Sequence, residues 1–195
     1  MITRLSMTAC ILLAAGPALA QQPTFQDALL DRLVGHWVLE GTIAGKKTTH
    51  DVSAEWVLNH QFVLVREVSR EKDAKGQPEY QANVYLGWDE KAAEHLCIWL
   101  DVWGGFSPET VGRAKRAGDV LAYVFKDKDG RPSFHTTFAY DRTADAWTWQ
   151  MDNDDKGVLK PFARMKLARQ RDAAAAAPPS EPSGPKAAGA AGGHR

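Results

Sequence analysis

The sequence has few cysteines, no long apolar run beyond its first residues, and no excess of charge of either sign. Its 195 residues include two cysteines, so a disulfide framework is excluded. No later segment approaches the roughly 20 apolar residues that a membrane helix needs, so no membrane span is expected. Basic and acidic residues number 24 each, without a basic stripe. This balance argues against nucleic acid as a partner.

The motifs of common enzymes are missing as well. The sequence has no Gly-x-Ser-x-Gly elbow, no phosphate-binding glycine loop and no His-Glu-x-x-His pair. Cys97 lies among Leu, Ile and Trp, where a cysteine is usually an inert core residue. We therefore predict a non-catalytic protein without a cofactor or a metal ion.

The N-terminal segment has the pattern of a Sec-type signal peptide. Arg4 precedes a short apolar stretch over 11–19, and Ala18 and Ala20 form a small-x-small cleavage site. We expect cleavage after Ala20, so that residues 1–20 are a signal peptide and the protein is periplasmic or secreted. Cleavage would also remove Cys10, leaving no partner for an intramolecular disulfide.

The C-terminal segment, residues 171–195, differs from the middle of the chain in composition. It is mostly Ala, Gly, Pro and Ser, and it contains no aromatic residue, Leu, Ile or Val. Such a segment buries too little apolar surface to offset the entropy lost on ordering. We predict a disordered tail at 171–195 and one folded domain over 24–170.

The middle of the chain is a series of short strand patterns, organised around one hairpin. The runs 80–88 and 95–105 are rich in β-branched and aromatic residues and are joined by a charged segment. Neither run has a clearly polar face, which is typical of strands covered on both sides. A helix of about ten residues is predicted after Thr24. Further strands are predicted at 36–43, 51–58, 62–68, 110–116, 120–126, 133–141, 146–152 and 158–169.

This arrangement predicts an all-β fold. About ten strands with hairpin-length connections and no helix between them indicate an antiparallel up-and-down barrel with a short N-terminal helix. A barrel of this strand number is wider than the eight-stranded kind that side chains or one small ligand can fill. We therefore expect space for a ligand in the lumen.

Several short motifs point to a known family. Gly35-His36-Trp37, at the start of the first strand, is similar to the Gly-x-Trp signature of calycin barrels such as lipocalins. With the Trp-x-Leu-x-x-x-Phe pattern over 56–62, Leu-Gly-Trp-Asp over 86–89 and Trp-Leu-Asp over 99–101, it resembles the bacterial domain-of-unknown-function 1579 family. This resemblance implies a calycin-like fold and an exported bacterial protein, and it implies no agreed activity.

The aromatic residues and two charged residues supply the candidate ligand site. Successive side chains of a strand point to opposite faces, so Trp99, Asp101 and Trp103 share one face of their strand. If this face is inward, Asp101 is a buried carboxylate that needs a partner, and Arg66 is the predicted partner. We predict a small apolar or aromatic ligand, bound in the lumen by Trp37, Trp56, Arg66, Trp99, Asp101, Trp103 and Trp149.

Three alternative functions stay open at this point. By analogy with nitrobindin-type barrels, the protein would bind haem or nitric oxide, although the last strand lacks a histidine and His135 is the nearest substitute. An enzyme would use Asp101 and His95 as acid and base. The aliphatic row opposite the Trp face, Leu96 to Val102, would need a cover, which the N-terminal helix, a loop or a second copy in a homodimer would supply.

Two patterns resemble metal sites only in part. His95-x-Cys97 places two zinc-ligand types on one strand face, but the sequence does not group a third or fourth ligand with them. The segment 152–157 starts like a calcium loop, yet Lys156 occupies the fifth position. We interpret this segment as an acidic hairpin turn.

Overall fold

A short helix precedes eleven strand segments within residues 24–170, the part of the chain that the computed structural model describes. The predicted signal peptide and C-terminal tail lie outside these residues and stay predictions. The elements are α1 (Ala28–Leu33), β1 (Gly35–Ile43), β2 (Lys46–Val57), β3 (Phe62–Ser69), β4 (Gln81–Asp89), β5 (Glu94–Asp101), β6 (Val111–Ala114), β7 (Arg116–Ala117), β8 (Val120–Lys126), β9 (Pro132–Asp141), β10 (Ala146–Asp155) and β11 (Val158–Arg169), with a 3₁₀ turn at Pro108–Thr110.

The strands close into a ten-stranded antiparallel barrel. From β1 to β6 and from β7 to β11, each segment pairs with the next one in the chain, and β1 pairs with β11. Segments β6 and β7 flank Lys115 and both pair with β8, so they form one interrupted strand that closes the cylinder. The predicted all-β up-and-down barrel with a short N-terminal helix is confirmed.

Local hydrogen bonds explain why the boundaries of α1 and β5 differ from the prediction. The helix is shorter than predicted because Asp27 caps it, accepting hydrogen bonds from the backbone N–H groups of Leu29 and Leu30. Strand β2 begins at Lys46, earlier than predicted. Strand β5 ends at Asp101, where the carboxylate accepts the backbone N–H groups of the next turn and redirects the chain.

Helix α1 fills one end of the barrel. Leu29, Leu30 and Leu33 are at most 1% exposed and belong to the core inside the cylinder. The indole N–H of Trp37 donates a 2.7 Å hydrogen bond to the carbonyl of Leu33, and the Arg169 guanidinium lies 4.0 Å above the Trp37 ring. These contacts fix the helix as the floor of the barrel, so the end beside α1 is closed.

Asp27 joins the helix to the barrel wall. One carboxylate oxygen accepts the helix N–H groups and lies 3.2 Å from Arg116 Nη1, and the other lies 2.7 Å from His95 Nε2 on β5. Burial alone would raise the Asp27 pKa, but the hydrogen bonds from His95, Leu30 and Leu29 outweigh it and the pKa is lowered. The carboxylate therefore stabilises the folded state in its charged form.

Strand β5 shows which face points inward. His95 and Cys97 are buried inside the barrel, and Trp99 packs against the same core. The opposite row of Leu96, Ile98 and Leu100 is half-buried on the outside. The leucines of α1 lie in the core and do not explain how this outer row is covered, so the homodimer stays a prediction.

The lower half of the lumen is packed with side chains. Those that are less than 2% exposed include Trp37, Tyr123, Phe138, Trp147 and Trp149, together with several leucines. Interiors of this kind are close-packed and leave little free volume. Within residues 24–170, no helix is long and apolar enough to cross a membrane.

We predict that Asp27→Asn lowers the free energy of unfolding near pH 6 by about 1–3 kcal/mol, because a charged hydrogen bond to His95 is lost while the helix cap is kept. A carboxyl whose folded-state pKa is lowered stabilises the fold above its unfolded pKa, and the ordinary pKa of an Asp side chain is 3.8. The difference between variant and wild type should therefore shrink as the pH falls below this value. Urea unfolding curves recorded at several pH values measure this difference in the free energy of unfolding.

The matched control is Asp31→Asn, on the same helix but exposed. Asparagine there keeps an oxygen to accept the 2.9 Å hydrogen bond from Trp56 Nε1. This control should change the unfolding free energy by less than about 0.5 kcal/mol. An Asp27→Asn effect that is no larger than the control, or that grows at low pH, contradicts the role given to Asp27.

Candidate functional site

The upper half of the lumen, at the end opposite α1, holds a cavity of about 680 Å³. Strand β1 starts beside α1, and its last residue, Ile43, lines this cavity. The volume lies within the roughly 300–1,000 Å³ that is typical of small-molecule sites. Its aromatic walls come from four strands and the two loops that flank the β4–β5 hairpin: Tyr80, Trp99, Trp103, Phe125, Phe134 and Phe162.

Three of the predicted site residues meet at this cavity, and a fourth lies behind them. Trp99, Asp101 and Trp103 line the space, and Trp103 is 72% exposed at its mouth. Trp149 is fully buried, its ring centroid lies 5.5 Å from that of Trp99, and its indole N–H donates a 2.7 Å hydrogen bond to the Thr136 hydroxyl. Trp149 therefore supports the wall from behind.

Two predicted tryptophans lie at the other end of the barrel. Trp37 is packed under α1, as described above. Trp56 donates its indole N–H to Asp31 and stacks on the His60 ring at a centroid distance of 3.8 Å. The structure does not bring Trp37 or Trp56 to the cavity, because both inward-facing positions are near the closed end of their strands.

The predicted pairing of Arg66 with Asp101 is wrong. Arg66 points out of the barrel and forms an ion pair with Glu55, and its side chain is 47% exposed. The inward row of β3 is Val63, Val65 and Glu67. Because side chains alternate along a strand, placing Arg66 inside put every residue of this strand on the wrong face.

Asp101 instead accepts hydrogen bonds from two aromatic side chains. Its Oδ2 accepts hydrogen bonds from the Tyr80 hydroxyl at 3.3 Å and from the Trp99 indole N–H at 3.2 Å. Burial, together with the charges of Glu67 and Asp101, raises the pKa of Tyr80 well above its ordinary value. Tyr80 therefore keeps its hydroxyl hydrogen and remains a donor at neutral pH.

A second polar group inside the cavity includes His50 and Glu67, which the sequence analysis did not select. His50 is 2% exposed and Glu67 is fully buried, and His50 Nδ1 forms a short contact with Glu67 Oε1. On its other side, His50 Nε2 lies 2.7 Å from the Thr48 hydroxyl, which donates to Glu71 at 2.9 Å. Burial opposes ionisation of Glu71, but its hydrogen bonds lower its pKa overall.

Two errors explain why His50 and Glu67 were not predicted as site residues: the start of β2 and the choice of the inward face of β3. The predicted second strand starts at 51 and so excludes His50, whereas β2 already runs from Lys46. An inward Arg66 also implies that Glu67 faces outward together with Val63 and Val65, because side chains alternate along a strand. The alternation of Thr48, His50, Val52 and Ala54 was the one available signal that His50 faces inward.

The alternative enzymatic pair is not assembled. His95 and Asp101 lie six residues apart on β5, about 20 Å along a strand. His95 is bound to Asp27 at the closed end, whereas Asp101 lines the cavity. The two side chains therefore do not face a common substrate.

The alternative haem ligand and the metal-like patterns also lie outside the cavity. His135 Nε2 is 2.9 Å from Asp154 Oδ2, and His135 does not line the space. The predicted turn at 152–157 is shorter than expected, because β10 continues to Asp155 and only Lys156 and Gly157 join it to β11. The Gly157 N–H donates a hydrogen bond to Asp154. Among residues 24–170, no group of three or more His, Cys, Asp or Glu side chains is placed to hold a metal ion.

We predict that the Cys97 thiol is unreactive in the folded protein, because it is fully buried and burial raises its pKa. In a chain carrying Cys10→Ser, dithionitrobenzoate should label Cys97 only after guanidinium chloride unfolds the barrel. The absorbance of the released thiolate measures the reaction. Rapid labelling in native buffer would contradict the inward position of this row of β5.

Comparison of the sequence with protein-family models and with curated proteins found no match in either case. The motif resemblance described above therefore stays a prediction. The site is defined by the structure alone: an aromatic cavity at the open end of a closed barrel, with two polar groups in its wall.

Proposed function

We propose that the protein is a non-catalytic carrier that binds a small, mainly apolar or aromatic molecule in the upper lumen. The observation that carries this proposal is the cavity of about 680 Å³ with aromatic walls. Ligand sites are typically concave and mostly apolar, with a few polar groups that fix orientation. The groups around Asp101 and His50 would serve that second purpose.

The size of the apolar surface sets the expected affinity. An aromatic molecule that buries about 200 Å² of apolar surface gains about 5 kcal/mol from leaving water. Association costs offset part of this gain, whereas preformed walls keep the additional ordering cost small. We therefore expect dissociation constants on the order of micromolar to millimolar for simple aromatic probes.

The neutral dye N-phenyl-1-naphthylamine should bind to the wild-type protein with a rise in its fluorescence and quenching of Trp emission. Ile43→Trp should weaken binding by at least about 10-fold, because Ile43 lines the cavity and the larger indole would occupy part of its volume. Fluorescence titration measures both effects.

Thr42→Trp is the matched control, since Thr42 is adjacent on β1 and does not line the cavity. It introduces the same side chain on the outer face and should leave dye binding within about 2-fold of wild type. Circular dichroism establishes that both variants fold. Absence of dye binding to the wild type, or equal effects of the two variants, would contradict a ligand site in the lumen.

We also propose that the protein is exported, and the support is the signal-peptide pattern and the motif resemblance to an exported bacterial family. Expressed in a Gram-negative host, the chain should be recovered from the periplasmic fraction with Gln21 as its first residue. Mass spectrometry of the intact protein measures this. Ala20→Leu should block cleavage. An uncleaved wild-type chain in the cytoplasmic fraction would contradict export.

A further inference from the structure

One buried carboxylate oxygen at the cavity has no partner in the described part of the chain. Glu67 is 0% exposed and lines the cavity, its Oε1 contacts His50, and its Oε2 has no hydrogen-bond partner. A buried acceptor left unsatisfied is costly, and the cost is larger for a charged group. A ligand in the cavity that carries a hydrogen-bond donor would satisfy this oxygen.

The hydrogen-bond chain through His50 engages only one oxygen of Glu67. The Thr48 hydroxyl donates its single hydrogen to Glu71, so the 2.7 Å contact with His50 Nε2 requires an N–H from His50. On the other side of the ring, His50 Nδ1 contacts Glu67 Oε1. Glu67 Oε2 lies outside this chain of contacts and remains an acceptor.

The remaining charges around the cavity are mainly negative. Among the described residues that line it, Lys46 is the only lysine or arginine, and its Nζ lies 2.6 Å from Glu79 Oε2. Asp101 and Glu109 also line the space, and neither forms an ion pair within residues 24–170. A cavity of this charge attracts cations and disfavours anions.

Aromatic faces surround the same region. The centroid of the Tyr80 ring lies 4.8 Å from that of Trp103 and 5.8 Å from that of His50. The Tyr80 hydroxyl accepts a hydrogen bond from the Trp99 indole N–H. Tyrosine and tryptophan faces attract ammonium groups through the ring quadrupole. A positively charged donor would thus meet both an acceptor oxygen and aromatic rings.

We propose that the cavity selects a protonated amine carried on an aromatic or apolar body, with its ammonium group donating to Glu67 Oε2 beside Tyr80 and Trp103. This inference rests on the proposed carrier function and adds the chemical class of the ligand. The apolar body would occupy the space walled by the phenylalanines, and the carboxylates would set the preference for positive charge.

Three probes of the same size and different charge test the proposal on the wild-type protein. Phenethylamine is a cation at pH 7, phenethyl alcohol is neutral, and phenylpropanoate is an anion, and all share the phenylethyl body. Displacement of N-phenyl-1-naphthylamine should show the ammonium compound binding at least about 10-fold more tightly than the alcohol, and the anion most weakly. Equal affinities for the cation and the alcohol, or tightest binding of the anion, would overturn the proposal.

Glu67→Gln tests the assigned acceptor, and Glu40→Gln is the control because Glu40 is exposed on the outside of β1. The first variant should reduce the preference for the cation to less than about 3-fold, while binding of the alcohol and the dye stays within about 2-fold. The control should keep the full preference. A full preference in Glu67→Gln would overturn the role of Glu67. Failure of the dye to bind wild type would instead remove the carrier function.

Discussion

The width of a ten-stranded barrel is the constraint on which the rest of this structure depends. A cylinder of this strand number encloses more volume than the side chains of its own strands fill. Helix α1 and large aromatic residues occupy the lower half, where Trp37, Trp147 and Trp149 are fully buried. Within residues 24–170, no comparable set of side chains fills the other end, and a cavity of about 680 Å³ results.

The distribution of polar groups follows this division of the lumen. At the closed end, Asp27 is satisfied by the helix N–H groups, His95 and Arg116, so it acts as a structural link. At the open end, Glu67 and His50 are as deeply buried, yet one Glu67 oxygen has no hydrogen-bond donor among residues 24–170. Buried polar groups that are fully paired support a fold, whereas an unpaired one beside free volume points to a ligand.

The strand rhythm and its hairpin turns were sufficient to predict the barrel, and the alternation in β5 placed Trp99 and Asp101 on one face. Trp103 lines the cavity from the turn that follows this strand. The pairing of Arg66 could not be predicted, because both faces of β3 are apolar over 62–65 and alternation alone does not select the inner one. The position of each tryptophan along the barrel axis could not be predicted either. Trp37, Trp56 and Trp99 lie in similar strand patterns, and only the position of α1 shows that Trp37 and Trp56 are at the closed end while Trp99 lines the cavity.

The most direct test of the hollow open end is a crystal structure of the protein grown with a brominated aromatic compound, with anomalous data recorded at the bromine edge. The structure described here predicts a bromine peak in the space between Trp99, Phe134 and Phe162. Side chains that fill this space to the barrel axis, with the bromine absent or bound only on the outer surface, would contradict it.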